Sequence, residues 1–154
     1  MSTINFARAS ADAAARTLAH ERRIDASPER VHAAFADPAR LARWWGPAGF
    51  TNRFDVCEFR PGGAWVYTMI APDGTEYPNR SEFAETGPRR ILIRHLSGHY
   101  FELTVTLEPA GDGTLVGWRQ CFESAAERDR IASLVTLANE QNLDRLAAEV
   151  ARAG

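Results

Sequence analysis

Four histidines, His20, His32, His95 and His99, are the side chains of this 154-residue chain that change charge nearest neutral pH. They are the first candidates for proton transfer or metal ligation. His95 and His99 stand four apart, a spacing that on a helix would put both rings on one face. Ser97-Gly98 between them reads instead as a hairpin turn, and no third ligand follows at a characteristic spacing, so no metal site is expected. His95 closes an apolar stretch, and an inward ring there serves either as a structural histidine or as a general base. With Tyr67 and Gln120 it makes a set able to polarise a bound carbonyl, the chemistry of a cyclase, dehydratase or hydrolase. No serine, histidine and acid, and no cysteine and histidine, fall in the order of a nucleophile set. Gly62, Gly63 and Gly74 lie in turn signals without a strand–loop–helix context, so no phosphate cradle is expected. Cys57 and Cys121 are far apart and read as separate reduced thiols.

The elements that must position these groups follow from one change of period. Residues 1–16 are Ala- and Ser-rich and read as a flexible arm before a single domain over 17–152. A first strand spans about 17–25. Ser27-Pro28 and Asp37-Pro38 then each place a capping residue before a proline suited to the first helical position, which predicts two short helices. Gly46-Pro47 stops the second. From Thr51 the period is two, with turn signals that leave six strands at about 51–59, 64–71, 76–85, 90–96, 100–108 and 113–122. Turns this short forbid parallel crossovers, so the sheet is an antiparallel meander. Ser124 and Glu127 form a capping box that opens a long helix to about residue 151, with Ile131, Leu134, Val135, Ala138, Leu143, Leu146 and Val150 along one face.

A helix of that length is roughly 42 Å long but only ~10 Å thick. Seven strands make a sheet roughly 34 Å wide. One helix cannot cover such a sheet flat, so the sheet must curl around it, and an internal cavity is the expected by-product. Strand alternation turns Trp65, Tyr67 and Met69 inward, then Tyr77, Asn79, Ser81 and Phe83, then Phe101, Leu103, Val105 and Leu107, then Val116, Trp118 and Gln120. Large apolar walls with a few polar heads are the composition of a ligand site. The expected cavity lining is Trp44, Trp45, Trp65, Tyr67, Met69, Asn79, Ser81, Phe83, His95, Leu103, Val105, Trp118, Gln120, Leu134, Ala138 and Asn142. Of the adjacent tryptophans, one is expected to pack with Leu41 beneath its helix and the other to cover the cavity mouth. Trp44 is the choice for the core.

Acids and bases are interspersed, with a net charge of −2, and no basic face offers itself to nucleic acid or an anionic membrane. No apolar run approaches the ~20 residues of a membrane span. The chain is expected in the cytoplasm, as a monomer or homodimer.

The stretches "DASPERVHAAFADPARLARWWGP", "RPGGAW", "PDGTEYP" and "WRQCFESAAERD", with "LDRLAAEV" in the last helix, occur in this order over about 17–151. Together they resemble the START-like (SRPBCC) superfamily, in the branch named after the activator of heat-shock protein 90 ATPase. The resemblance implies an α+β helix-grip fold: a curved antiparallel sheet of six or seven strands around a long C-terminal helix, with two short helices after the first strand. Members of that superfamily bind hydrophobic small molecules, lipids or polyketides, and some are cyclases or aromatases. Similar sequences usually carry an aromatic where Asn79 stands, a glycine where Ser81 stands, and a Gly-Trp pair near Glu140-Gln141-Asn142. This cavity is therefore expected to be wetter than theirs.

The leading expectation is a protein without cofactor or metal that binds an apolar or aromatic small molecule under the last helix. The rivals are a cofactor-free enzyme using Tyr67, His95 or Gln120, and a module that contacts a chaperone.

Overall fold

Prolines open both short helices. Ser27 Oγ accepts from the Arg30 amide (3.3 Å) and Asp37 Oδ1 from the Ala39 amide (3.0 Å), each just ahead of a proline that lacks an N–H to satisfy. In the computed structural model, which describes residues 11–153, helix α1 runs Pro28–Ala36 and α2 Pro38–Trp44. They follow strand β1 (Thr17–Ile24). Six strands come next: β2 (Thr51–Cys57), β3 (Gly63–Ile70), β4 (Glu76–Thr86), β5 (Arg90–His95), β6 (Phe101–Ala110) and β7 (Gly113–Phe122). Helix α3 (Ala125–Ala153) closes the chain. Of the arm expected over 1–16, residues 11–15 form a helical turn tied by Arg16 Nε to Asp12 (3.0 Å), and residues 1–10 lie outside the described part.

The strands make one antiparallel sheet in the order β1-β7-β6-β5-β4-β3-β2. β2 to β7 are a meander, and β1 joins its far edge in register from Thr17 opposite Cys121 to Ile24 opposite Thr114. α1 and α2 therefore carry the chain from one edge of the sheet to the other. Bulges after Phe54 in β2 and Phe83 in β4 interrupt the ladder and bend those strands.

Ser124 Oγ caps α3 by accepting from the Glu127 amide (3.0 Å). The reciprocal half of the expected capping box is replaced, because the Glu127 carboxylate turns to Arg130 at 2.8 and 3.1 Å. A guanidinium is a stronger partner for it than a backbone N–H.

Leu143, Leu146 and Val150 of α3 share one buried core with Trp118, Val105, Leu107 and Val116 of the sheet. Leu134 is instead 71% exposed. It had been expected on the same apolar face, but nine residues separate it from Leu143, and at ~100° per residue that puts the two on opposite sides of the helix. Tyr77, expected inward with its strand, is half exposed and rests on Phe50 near the sheet's open end.

Aromatic rings fill the centre of the grip. Trp65 is stacked between Tyr67 (4.2 Å between centroids) and Phe83 (5.1 Å), and takes Trp45 edge-on at 4.9 Å. Free space is therefore left at one end, beside the middle of α3, as a partly open pocket rather than an enclosed central cavity.

Candidate functional site

The pocket's first wall is the loop that leaves α2. Gly46 takes φ +101°, a conformation that favours glycine, and turns successive carbonyls toward α3. Arg145 receives them. Its Nη1 donates to the carbonyls of Trp45 (3.1 Å), Gly46 (3.0 Å) and Pro47 (2.9 Å), and its Nη2 to those of Arg43 (2.8 Å) and Phe50 (2.9 Å). Asn52 Nδ2 donates to the Trp45 carbonyl (2.8 Å), Asn142 Nδ2 to that of Trp44 (3.2 Å), and Gln141 Oε1 accepts from the Ala48 amide (3.1 Å). A loop that would otherwise be mobile is thus fixed from two sides.

Trp45, Gly46 and Pro47 of this loop face Tyr67 and Met69 of β3 across a pocket of about 220 Å³. Asn79 and His95, His99 and Phe101, and Gln120 form its sheet-side wall. Val135, Ala138, Asn139 and Asn142 form its helix-side wall. Asn139 Nδ2 donates to Gln120 Oε1 (3.0 Å), which leaves Gln120 Nε2, Asn139 Oδ1 and Asn142 Oδ1 free of protein partners among the described residues. Among the described residues the wall has no carboxylate, lysine or arginine. Burial pushes the Tyr67 phenol up to about 12, the nearby Ser81 and Trp45 side chains offsetting it in part, so it stays protonated. His95 lies flat on Phe101 (centroids 4.5 Å, planes 7° apart), and burial lowers its pKa below the usual value.

A larger depression of about 360 Å³ lies on the outer face of the sheet over Gly117, beside Glu21, Thr106 and Arg119. Among the described residues no helix is long and apolar enough to cross a membrane.

Against known proteins, the family described as activator of Hsp90 ATPase homolog 1-like protein matches residues 25–151. The chain belongs to that family. A solved protein from Chromobacterium violaceum is 30% identical, with a TM-score of 0.77 over 86% of this chain and 95% of that one. One from Arthrobacter aurescens is 25% identical, with a TM-score of 0.81 over 92% of this chain and 89% of that one. An AHSA1 protein from Silicibacter pomeroyi, 22% identical with a TM-score of 0.74 over 90% of this chain and 99% of that one, shares the fold. No curated protein matches the sequence. The START-like helix-grip architecture expected from the sequence is the fold of this family member.

In this family member Trp45, Tyr67, Met69, Asn79, His95, Gln120, Ala138 and Asn142 meet at the pocket. The other residues expected there do not reach it. Trp44 belongs to the core, edge-on to Phe35 at 4.9 Å with its Nε1 donating to the Ala34 carbonyl (2.9 Å). Trp65, Phe83, Leu103, Val105 and Trp118 are also core, because the rings at the centre close the space their strands were expected to leave. Ser81 is buried beneath Tyr67, and Leu134 faces solvent.

The structure adds Gly46, Pro47, His99, Phe101, Val135 and Asn139. Asn139 was open to discovery, since it lies three residues before Asn142 on the same helix face. The contribution of the turn residue His99 depends on how the β5–β6 hairpin folds back, which strand periodicity does not report.

Proposed function

We propose that this family member is a cytoplasmic protein that binds an apolar or aromatic small molecule in the pocket beside the middle of α3. The observation that carries the reading is the pairing of two unlike kinds of lining. Trp45, Tyr67, Met69 and Phe101 supply ring and thioether surface, and Gln120, Asn139 and Asn142 supply amide groups with unused hydrogen-bonding capacity. Such a combination gives affinity through apolar burial and orientation through a few polar contacts. At about 220 Å³ the pocket suits a body of one or two rings. Titration with 2-naphthamide, followed by tryptophan fluorescence, tests the reading. Saturable quenching that is lost in Ala138→Phe supports it, and no quenching at any concentration removes it.

The enzyme reading draws no support from the geometry. Both His95 nitrogens already lie against protein oxygens, and the Tyr67 phenol is held protonated. A protein-contact reading draws some from Leu134 and Leu137, 71% and 58% exposed on one stretch of α3. The family description makes Hsp90 the partner to try, with ATPase stimulation as the readout and Leu134→Ser with Leu137→Ser as the control.

A further inference from the structure

The His95 ring lies between two acceptors. Its Nδ1 is 2.9 Å from the backbone carbonyl of His99, and its Nε2 is 2.7 Å from Asn79 Oδ1. The amide of Asn79 cannot be reversed to relieve this, because its Nδ2 donates to the Tyr77 carbonyl at 2.7 Å. Reversal would set oxygen against oxygen there. A neutral imidazole has one N–H, so it satisfies one of its two oxygens and presents a lone pair to the other. The imidazolium donates to both.

Burial opposes that charge, since the residue is 7% exposed. A carboxylate in contact with the ring would offset the burial, yet among the described residues the groups around His95 do not include one. Asn79 and Ser81 face it from β4, and Phe101 from β6. Across the pocket is the neutral Tyr67 phenol, and His99 lies 5.8 Å away in the turn. The acid that acts here from α3, Glu127, is engaged with Arg130 and senses His99. Hydrogen bonding thus favours a cation at a place where the described residues supply no counter-charge. The open space beside that place is the pocket.

We propose that the pocket takes an aromatic carboxylate in its anionic form, and that His95 takes up one proton from solvent as the anion binds. The inference rests on the pocket reading above and specifies the charge of its ligand. Gln120 Nε2, free of a protein acceptor among the described residues, is the donor placed to meet a carboxylate oxygen. The bound pair is electrically neutral, carboxylate against imidazolium. His95 then satisfies Asn79 and His99 together.

The probes are 2-naphthoate and its neutral isostere 2-naphthamide, titrated calorimetrically near pH 7 in buffers of different ionisation enthalpy. The expected result is tighter binding of the naphthoate, by about tenfold or more, with a buffer-dependent heat that reports proton uptake for the naphthoate alone. His95→Gln abolishes the preference and the uptake. Asn79→Leu removes one of the two acceptors, leaves the imidazole in place, and reduces the uptake. Should the histidine variant fold poorly, the ¹⁵N spectrum of the wild-type His95 ring answers alone, with both nitrogens protonated in the naphthoate complex. Equal affinity for the two probes with buffer-independent heat overturns this inference and leaves the pocket reading standing. Failure of both probes to bind removes the pocket reading and this inference with it.

Discussion

Arg145 on α3 holds the carbonyl of Trp45 at 3.1 Å, and through it the ring that forms one wall of the pocket. The same guanidinium serves four further carbonyls between Arg43 and Phe50, so a single side chain fixes the loop against the helix. Arg145→Met leaves those half-buried carbonyls without their donor and is expected to destabilise the fold by roughly 2 to 4 kcal/mol. Arg145→Lys rescues only part of this, since an ammonium cannot span the fan of oxygens. Urea unfolding measures the stability and naphthamide titration the pocket. A methionine variant that keeps both would show that the loop holds itself.

Glu149 is 3% exposed and lies among Arg40, Arg43 and Arg152 at 2.8 to 3.4 Å. The hydrogen bond from Arg43 is the main reason its pKa is lowered, with Arg40 adding to it against the effect of burial. Folding therefore gains from the ionised form above the ordinary carboxylate value of 4.5, and that gain is lost as pH falls below it. Glu149→Gln leaves the arginines without their anion. The expected loss is roughly 2 to 3 kcal/mol at neutral pH, less than for a fully buried pair because Arg43 and Arg152 reach solvent. The variant's acid transition should also lose part of its steepness. An unchanged transition would mean that other carboxylates dominate it.

His95 gives the ligand-free protein a second pH window. Burial holds its pKa below the usual 6.5, so the unfolded chain binds the proton more readily than the folded one. Stability contributed by the neutral ring is complete above about pH 6.5 and declines as pH falls through the range beneath it. Denaturant midpoints taken from pH 8 to pH 5 should fall in the wild type and stay flatter in His95→Gln.

Leu134 and Leu143 make a paired test of the phase of α3. Leu143 is fully buried, and Leu143→Ala should remove roughly 3 kcal/mol of stability. Leu134→Ala, at 71% exposure, should change it by less than about 0.5 kcal/mol. A large effect at Leu134 would show that this face is covered in solution.

Gly46 combines φ +101° with a crowded site, where an added Cβ would stand 2.8 Å from Met69 Cε. Gly46→Ala is expected to lower stability by about 1 to 2 kcal/mol and to weaken naphthamide binding, because loop and pocket wall move together. Loss of stability with unchanged binding would separate the two.

The chain of 154 residues by itself determined the order of elements and the architecture. Capping residues before prolines, a change of period at Thr51 and short turns are local signals, and local signals are what hydrophobic spacing records. The width of the sheet against a single helix then required the curl. The residues that would share a pocket were legible only in part. Trp45, Tyr67 and His95 point inward by alternation or by neighbouring turns, and so do Trp65, Phe83 and Trp118, yet only the first three border open space. Side-chain volume in three dimensions makes that difference, because stacked rings close the centre of the grip and leave room at one end. The roles of Arg145 and Glu149 were also decided by tertiary structure. Each is an ordinary charged residue in the sequence of α3, and the partners that tie it to the rest of the fold lie about a hundred positions away, where only the folded chain brings them within hydrogen-bonding distance.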